Sequence, residues 1–483
     1  MKEQFLFTGS EVRELDRIAI EEFKIPGLTL MRRAADACLA QIAFGYPQIG
    51  EVTVFCGGGN NAGDGYIIAG MLAEKGHRVL VNVVGDPDKL GADALAAYEY
   101  CESTSALLEF ENFLITGDLV VDALLGTGLS GPVRRRYADV IQLLNGNERP
   151  VLSVDIPSGL CADTGSILGF AVTAEMTVTF IGRKRGLYTN DGPDHAGTVV
   201  LDTLGVPEDV YESLKSIPVG VLPAPFFPAR AKNSYKTTHG HLLVIGGDHG
   251  MGGAVILSAE AALRTGAGLV TVATRPENVA ALLARRPEIM ARGVEKGEQL
   301  TPLLEKVTAL VVGPGLGQGD WSRELLSVAL ASKLPVLIDA DGLNILAKME
   351  LRREEWVLTP HPGEASTLLG RTGIQADRFS SVTEIQKKYG GVVLLKGVGT
   401  LVARESEISL CPFGNPGMAT AGMGDVLSGV IGALMAQGYE CYEAAAKGAV
   451  LHARAGDDVA GEKGEIGLIA SDVIEAIQRL ASS

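Results

Sequence analysis

The sequence has few of the residues that mark an oxidising compartment, a membrane or a zinc site. Its 483 residues include six cysteines, and no two of them form a C-x-x-C pair. A disulfide framework and a thiolate zinc cluster are therefore excluded, and we expect reduced, largely buried thiols. No run of about 18 apolar residues is present, and the first residues lack the apolar core of a signal peptide. We therefore expect a cytoplasmic protein without a membrane partner.

Motifs of several common enzyme classes are also missing. The sequence contains no G-x-x-x-x-G-K-[ST] phosphate loop, no protein-kinase signature and no H-E-x-x-H zinc motif, so those classes are excluded. The net charge of −16 argues against a nucleic-acid partner. Most of this charge lies in residues 1–220, which carry 30 acidic and 17 basic residues. The uneven distribution predicts a chain made of two unlike parts.

Glycine, by contrast, is abundant. The 61 glycines amount to about 13% of the chain, against an average of about 7%. Short apolar strands alternate with helical segments in two successive series, a pattern typical of α/β domains whose parallel sheets carry helices on both faces. Four prolines between residues 218 and 228 mark the best linker candidate. We predict domains at 1–217 and 231–483, joined by a linker at 218–230.

In the first domain, polar residues accompany three predicted strands. The segment Gly57–Gly65 follows one strand, opens a helix and contains Asn61. Asp122 lies within a second apolar strand, and Asp155 and Ser158 lie near the end of a third. Because the carboxyl ends of parallel strands face one crevice, we expect these side chains to converge there.

Together these three segments resemble the NAD(P)H-hydrate epimerase domain. The resemblance implies a Rossmann-like fold, interconversion of the R and S hydrates of NADH and NADPH, and a bound K⁺. It implies that Asn61, Asp122 and Ser158 are the K⁺ ligands and that Asp155 contacts the hydrated nicotinamide as general acid and base. The implied substrate-binding loops comprise Asn60, Asn61, Ala62, Gly63 and Asp64, and then Gly126, Thr127, Gly128, Leu129, Ser130, Gly131 and Pro132.

One position departs from the family's pattern. The family usually has Asn-Asn-Gly-Gly-Asp-Gly, and Ala62 replaces the first of these glycines. If that position needs a positive φ, alanine strains it by about 1 kcal/mol and weakens the fit of the dinucleotide. The basic cluster Arg134–Arg136 follows the second loop. It is either solvated surface charge or a group that contacts phosphate, and the sequence leaves both alternatives open.

In the second domain, Gly422–Asp425 precedes an apolar helix. Backbone N–H groups at such a helix start neutralise a phosphoryl group in transfer, while Asp425 takes the proton of the accepting hydroxyl. The alternative is a capped helix that simply carries Asp425 in its first turn. Four further strand ends carry glycine or polar residues, namely Gly313–Gly317, Asp339–Gly342, Thr359–Glu364 and Leu394–Gly397.

This layout resembles the ribokinase-like superfamily, and within it the ADP- or ATP-dependent NAD(P)H-hydrate dehydratase. The most specific segments are Thr-Pro-His-Pro-Gly-Glu at 359–364 and Gly-Met-Gly-Asp-Val-Leu-Ser-Gly at 422–429. The resemblance implies a ribokinase-like three-layer α/β domain that dehydrates the S hydrate through a phosphorylated intermediate. ADP or ATP, Mg²⁺ held largely through phosphate oxygens, and a homo-oligomer are implied as well.

The same resemblance implies individual roles. Asp425 would be the catalytic base and would contact the substrate together with Ala254, Gly315 and His361. The nucleotide would be held by Lys396, Gly397, Val398, Gly399, Thr400 and Gly424.

Two other functions remain open at this point. A kinase for a vitamin or sugar hydroxyl, with an N-terminal nucleotide-binding domain, shares the Gly-Met-Gly-Asp chemistry but leaves Asn61, Asp122 and Asp155 unexplained. Alternatively, the first domain is a nucleotide-sensing or protein-binding module that has lost turnover, for which Ala62 is the only sign.

Overall fold

The computed structural model describes residues 4–482. The chain forms two compact units, Met1–Val219 and Gly220–Ser483. Both units are α/β, as the alternation of strands and helices predicts. No helix between residues 4 and 482 is both long and apolar enough to cross a membrane.

The N-terminal unit contains seven helices and nine strands within its described residues. The strands are β1 (Phe5–Phe7), β2 (Glu51–Cys56), β3 (Arg78–Val83), β4 (Leu107–Glu109), β5 (Leu119–Ala123), β6 (Val151–Val154), β7 (Met176–Phe180), β8 (Arg183–Lys184) and β9 (Thr198–Asp202). The helices are α1 (Gly9–Glu21), α2 (Gly27–Gly45), α3 (Asn60–Glu74), α4 (Ala92–Glu102), α5 (Arg135–Asn145), α6 (Gly192–Ala196) and α7 (Glu208–Glu212).

Seven of these strands form a parallel sheet in the order β4-β3-β2-β5-β6-β7-β9. Numbered along the sheet's own chain path, this is the 3-2-1-4-5-6 order of a Rossmann fold with one strand added. The strand order reverses between β2 and β5, and ligands of such folds bind where the order reverses. The predicted Rossmann-like architecture is confirmed.

Helices cover both faces of this sheet. Val54 and Val121 pack into a core shared with α2 and α3, whereas their neighbours Phe55 and Val120 pack with α5 on the opposite face. Successive strand side chains point to opposite faces, so a strand covered on both sides is apolar along its length. The near-continuous apolar sequence of β2 and β5 follows from this burial.

The C-terminal unit contains a second series. Its strands are β10 (Val219–Val221), β11 (His241–Ile245), β12 (Leu269–Thr274), β13 (Met290–Gly293), β14 (Ala309–Val312), β15 (Val336–Ile338), β16 (Trp356–Leu358), β17 (Val392–Leu395), β18 (Thr400–Arg404) and β19 (Glu407–Cys411). Its helices are α8 (Gly252–Arg264), α9 (Val279–Arg285), α10 (Thr301–Leu304), α11 (Asp320–Ala331), α12 (Asp341–Leu346), α13 (Pro362–Leu369), α14 (Arg378–Tyr389), α15 (Met423–Ala436), α16 (Cys441–Lys463) and α17 (Ala470–Leu480). The strand β10 falls inside the segment predicted as a linker and pairs with β19.

The order of the second sheet is β13-β12-β11-β14-β15-β16-β17-β18-β19. The strands from β13 to β17 are parallel, and β18 and β19 are added as an antiparallel pair. Leu242 and Val244 pack with α8 and α15, while the alternate residues Leu243 and Ile245 are equally buried on the other face. The second domain is therefore also an α/β sandwich.

Candidate active sites

The N-terminal unit has a cavity of about 610 Å³ at the carboxyl ends of β2, β5 and β6. It lies where the strand order reverses. Asp155 and Arg134 line it, which places one arginine of the basic cluster beside the predicted substrate site. Of the predicted loop residues, those that line the cavity are Asn60, Asn61, Asp64, Gly126, Thr127, Gly128, Leu129, Ser130 and Pro132.

The first of the two predicted loops is helical. Asn60–Asp64 form the first turns of α3, whose N-cap is Gly59. Ala62 consequently has a negative φ, and it is fully buried together with Gly63. The strain that a positive φ would impose on alanine does not arise. A glycine-rich segment was expected to stay a loop, but its hydrogen bonds are completed by the helix that it begins.

Asp122 and Ser158 are hydrogen-bonded and buried. The Oδ1 atom of Asp122 accepts the Ser158 hydroxyl at 2.6 Å, and Oδ2 accepts the Ser158 N–H at 2.9 Å. Burial raises the pKa of Asp122, while these bonds act in the opposite direction. The Ser158 Oγ atom also accepts the N–H of Leu125 at 2.8 Å.

Asn61 faces the same place from the start of α3. Both polar atoms of its buried amide, Oδ1 and Nδ2, lack a hydrogen-bond partner within the described part of the chain. A Cβ at Gly126, next to Leu125, would lie 3.2 Å from the Asn61 Cβ. Asp122 and Ser158, which follow separate strands, are thus in contact, and Asn61 lies beside Gly126 with an unsatisfied amide. Such groups are rare in protein interiors and call for a ligand or an ion.

Asp155 is held in an unusual backbone conformation. Its φ is +69°, and the N–H of Ile156 donates to Val154 O at 2.9 Å, forming a three-residue turn centred on the aspartate. A second such turn is centred on Ile181, which has φ +63° and also lines the cavity. Positive φ in a β-branched residue is a genuine outlier, and strained turns of this kind cluster at functional sites.

The carboxylate of Asp155 is paired with a lysine that the sequence did not reveal. Lys184 is fully buried, and its ammonium donates to Asp155 Oδ1, to Thr179 Oγ1 at 3.0 Å and to Phe180 O at 3.0 Å. All three of its protons are therefore used. Phe180 N–H also donates to Asp155 Oδ1 at 3.2 Å, so the contacts to the carboxylate fall on one oxygen. None of these bonds uses Oδ2, and the Asp155 side chain lines the cavity.

Two further acids line the same cavity. Asp16 lies on α1, which begins after a capping box formed by Thr8 and Glu11. Burial raises the pKa of Asp16 and of Asp64, and the negative charge of Asp155 raises both further. Asp16 comes from a helix far from the glycine motifs, and no local signal in the sequence distinguishes it from a surface acid.

In the C-terminal unit, Asp425 occupies the first turn of α15. Burial raises its pKa to about 7, with a further contribution from the negative charge of Asp339, while Lys396 acts in the opposite direction. A carboxylate with a pKa near 7 is suited to accept a proton at neutral pH. Gly422 is the N-cap of this helix and no side chain caps it, so Asp425 lies in the first turn without capping the helix itself.

Lys396, immediately after β17, is the centre of a charged network. Its Nζ atom lies 2.8 Å from Asp339 Oδ1 and 3.7 Å from Glu364 Oε2. Burial opposes the charge of Lys396, but these carboxylates raise its pKa above the usual value. The hydroxyl of Ser428 donates to the other oxygen of Asp339. Burial works against ionisation of Asp339 too, yet Lys396 and Ser428 hold its pKa below the usual value.

Gly424 approaches this network closely. A Cβ at Gly424 would lie 3.4 Å from Lys396 Nζ and 3.7 Å from Asp339 Oδ2. The start of α15, the lysine and the aspartate therefore share one space, although they come from three separate segments. Asp339 and Glu364 lay within motifs noted in the sequence, but their partnership with Lys396 was not foreseen.

His361 has a definite structural role. Its Nδ1 atom accepts the N–H groups of Gly363 at 2.9 Å and Glu364 at 3.3 Å, so it caps α13. Glu364 completes the capping box by accepting the N–H of His361 at 2.8 Å. Since Nδ1 is an acceptor, a neutral imidazole carries its proton on Nε2. The ring is 55% exposed and remains able to contact a ligand.

The two other residues predicted to contact substrate are neighbours in space. A Cβ at Gly315 would lie 3.1 Å from the Cβ of Ala254, although 61 positions separate them in the sequence. Gly315 follows β14 and Ala254 lies in the first turn of α8 after β11. The second sheet reverses its order between β11 and β14, so this is again the expected ligand position.

The folds and sites define a chain of two fused α/β catalytic units, each with a buried carboxylate beside a glycine-rich helix start. Residues 242–479 match the family described as NAD(P)H-hydrate dehydratase, and residues 27–186 match the YjeF-related protein N-terminus. The chain is 46% identical to a bifunctional NAD(P)H-hydrate repair enzyme of Coxiella burnetii over 99% of both chains. It is 39% identical to that of Escherichia coli strain K12, over 98% of this chain and 93% of that one. The chain belongs to the family of bifunctional NAD(P)H-hydrate repair enzymes.

A solved structure agrees with this assignment. The chain is 31% identical to a ribokinase-like superfamily protein of Enterococcus faecalis V583, with a TM-score of 0.50, over 53% of this chain and 91% of that one. The ribokinase-like prediction for the second domain is confirmed, and so is the predicted repair function.

Proposed function

We propose that the domain at 1–217 epimerises the R and S hydrates of NADH and NADPH, and that the domain at 231–483 dehydrates the S hydrate at the expense of ADP or ATP. The observation that carries this proposal is the proton-accepting carboxylate of Asp425, with its pKa of about 7, at the start of α15 beside Lys396. Epimerisation makes the whole hydrate pool available to a dehydratase that accepts one epimer.

In the epimerase domain, Asp155 is the proposed general acid and base. The ring-nitrogen lone pair of the hydrate expels the hydroxyl group, which takes a proton from Asp155 and leaves as water. Water then adds to either face of the resulting cation and returns the proton to Asp155. The ammonium of Lys184 fixes one carboxylate oxygen, so the other is left to exchange the proton.

K⁺ is the proposed ion of this domain, held by Asn61, Asp122 and Ser158. The donor set fits a hard cation, because each residue supplies oxygen. The assignment is supported by the unpartnered Oδ1 of buried Asn61, next to Gly126, and by the contact between Asp122 and Ser158. When bound, the ion would supply positive charge near the substrate and fix the start of α3.

In the dehydratase domain, Asp425 is proposed to remove the proton of the substrate hydroxyl as the oxygen attacks the terminal phosphorus of the nucleotide. The P–O bond to the nucleotide breaks, and the phosphorylated hydroxyl becomes a good leaving group. Phosphate then departs with the C–O electrons as the ring-nitrogen lone pair forms a C=N cation. Loss of a proton from the neighbouring ring carbon then restores the double bond of NADH or NADPH. Backbone N–H groups at the start of α15 would neutralise the charge of the transferred phosphate.

Lys396 and the segment through Thr400 are proposed to hold the nucleotide phosphates. The close approach of Gly424 to Lys396 Nζ supports this, because any larger side chain would fill that space. Asp339 and Glu364 are both within ion-pair distance of Lys396, so we expect Mg²⁺ to be held chiefly through phosphate oxygens. A homo-oligomeric state and a cytoplasmic location complete the proposal.

A coupled assay tests the proposal. The protein is incubated with mixed hydrate epimers, Mg²⁺, K⁺ and either ADP or ATP, and formation of reduced nicotinamide is followed by its absorbance. Complete conversion is expected with at least one nucleotide. Conversion that stops when the S epimer is consumed, apart from spontaneous epimerisation, would contradict the epimerase assignment. Retention of dehydratase activity in Asp425→Ala would contradict the catalytic assignment.

A further inference from the structure

An arginine lies buried beneath the predicted nucleotide-binding segment. Arg378 is the first residue of α14, which begins after the N-cap Asp377. Its side chain is 1% exposed and is among the largest fully buried side chains of the described chain. Burial lowers its pKa to about 10, which still leaves the guanidinium charged at neutral pH. A buried charge is costly unless other groups compensate it, so the burial of an arginine at this place requires an explanation.

The partners of Arg378 are backbone carbonyls of that segment. Its Nη2 atom donates to Leu395 O and to Gly399 O, both at 3.3 Å, and Nη1 donates to Lys396 O at 3.4 Å. Nη1 also donates to the side chain of Gln375 at 3.0 Å. Among residues 4–482 no carboxylate forms an ion pair with it, and burial alone accounts for the change in its pKa. The positive charge is therefore not neutralised within the described chain.

These bonds orient the peptide groups of the segment. In a trans peptide the C=O and N–H groups point in opposite directions, and the described chain has no cis peptide. When the carbonyls of Lys396 and Gly399 turn toward the guanidinium, the N–H groups of Gly397 and Thr400 turn away from it. Gly397 and Gly399 have φ of +136° and +64°, values that permit such a turn. A Cβ at Gly397 would lie 2.4 Å from Arg378 Nη1, so the backbone rests directly on the guanidinium.

We propose that Arg378 is a positioning residue for the nucleotide: it holds the segment Lys396–Thr400 so that backbone N–H groups face the phosphates, and its own charge adds positive potential behind them. Outward N–H groups backed by a cation form an anion-binding concavity. The guanidinium suits this role because its rigid planar fork fixes the directions of its hydrogen bonds to the three carbonyls, whereas the ammonium of lysine is a compact charge with rotatable donors. The inference rests on the proposed nucleotide-binding role of this segment.

The test compares the full-length protein with Arg378→Met and Arg378→Lys. Calorimetric titration with MgADP and MgATP gives Kd, and steady-state assays give KM and kcat separately for the nucleotide and for the S hydrate. Arg378→Met is expected to weaken nucleotide binding by about tenfold or more, with the KM for the S hydrate unchanged. Arg378→Lys keeps the charge but loses the fork, so its Kd should fall between those of wild type and Arg378→Met.

Arg371→Met is the matched control, because Arg371 is exposed and pairs with Glu384 at 3.0 Å on the surface of the same unit. It should bind both nucleotides as wild type does. If Arg378→Met does not fold, Gln375→Ala replaces it: Gln375 is exposed, and its loss removes one support of the guanidinium. If Arg378→Met folds and binds with the wild-type Kd, the inference is overturned and the proposed function stays intact. If Arg378→Met does not fold, a wild-type Kd for both Arg378→Lys and Gln375→Ala has the same consequence. Failure of the wild-type protein to bind either nucleotide would overturn both.

Discussion

Replacement of Asp339 by asparagine is expected to move the acid limb of the dehydratase pH profile to lower pH. Burial and then the negative charge of Asp339 raise the pKa of Asp425 to about 7, and Lys396 acts against them. Lys396 Nζ lies 2.8 Å from Asp339 Oδ1, which neutralises much of its charge. In Asp339→Asn the repulsion disappears and the lysine charge is less neutralised. Both changes favour ionised Asp425, so its pKa falls.

The size of the effect follows from the ionised fraction of Asp425. With a pKa of about 7, about 1% of Asp425 is ionised at pH 5. A neighbouring charge moves a pKa by about 1–3 units. A decrease of about one unit raises the ionised fraction at pH 5 to about 9%. Relative to each protein's own plateau, the rate at pH 5 should therefore be several times higher in the variant.

Initial rates of reduced-nicotinamide formation from the S hydrate, with saturating MgADP, measure kcat/KM across the pH range. Each profile is scaled to its own plateau, because Asp339→Asn also removes an anchor of Lys396 and lowers the plateau. Titration of the nucleotide is common to all proteins and cancels in the comparison. Glu364→Gln is the matched comparison, since it also removes a carboxylate near Lys396 but leaves the negative charge of Asp339 in place, so its midpoint should move less than that of Asp339→Asn. The same midpoint in wild type and Asp339→Asn would refute the reasoning.

Four predictions concern the epimerase domain. Lys184→Met removes the cation that holds the carboxylate of Asp155 and should reduce the epimerisation rate, whereas Asp155→Asn should lower the rate by about 10² to 10⁴; measurement of epimer interconversion by chromatography checks both, and wild-type rates would contradict them. Asn61→Ala removes a proposed K⁺ ligand and should raise the K⁺ concentration needed for half-maximal rate, which a titration against a constant ionic strength measures. Ala62→Gly should leave kcat/KM unchanged, because Ala62 is helical with negative φ; a clear gain would show that the alanine does constrain the site.

Much of the candidate chemistry was accessible from the sequence because it is encoded in short continuous segments. Gly422–Asp425 predicts a helix start with an acid in its first turn, and α15 begins at Met423. Asp122 and Ser158 were recognised as polar residues near apolar strand ends, and the parallel sheet brings them to 2.6 Å. These features can be predicted from the sequence because each depends on local backbone geometry and on a general rule. The carboxyl ends of parallel strands lie at the same edge of a sheet.

One detail of the first site differs from the prediction for a physical reason. The resemblance implies a loop at Asn60–Asp64, yet the segment lies in α3. Packing decided the outcome: a Cβ at Gly63 would lie 3.1 Å from Ala94 Cα, so small residues here let α3 approach α4. Tertiary contacts commonly override a weak local propensity.

The sequence by itself determined the two unlike α/β halves and the acids Asp155 and Asp425. Only the tertiary structure decided the partners of the charged groups. Lys396 and Asp339 are 57 positions apart and meet because each follows a parallel strand that ends at the same edge of one sheet. Lys184 lies in β8, outside the seven-stranded sheet, and from there it reaches Asp155, 29 positions away. Strand order and burial, which are properties of the whole fold, set both the pairing and the pKa of about 7 at Asp425. The local sequence identifies the ionisable side chains, and the fold determines their ionisation state.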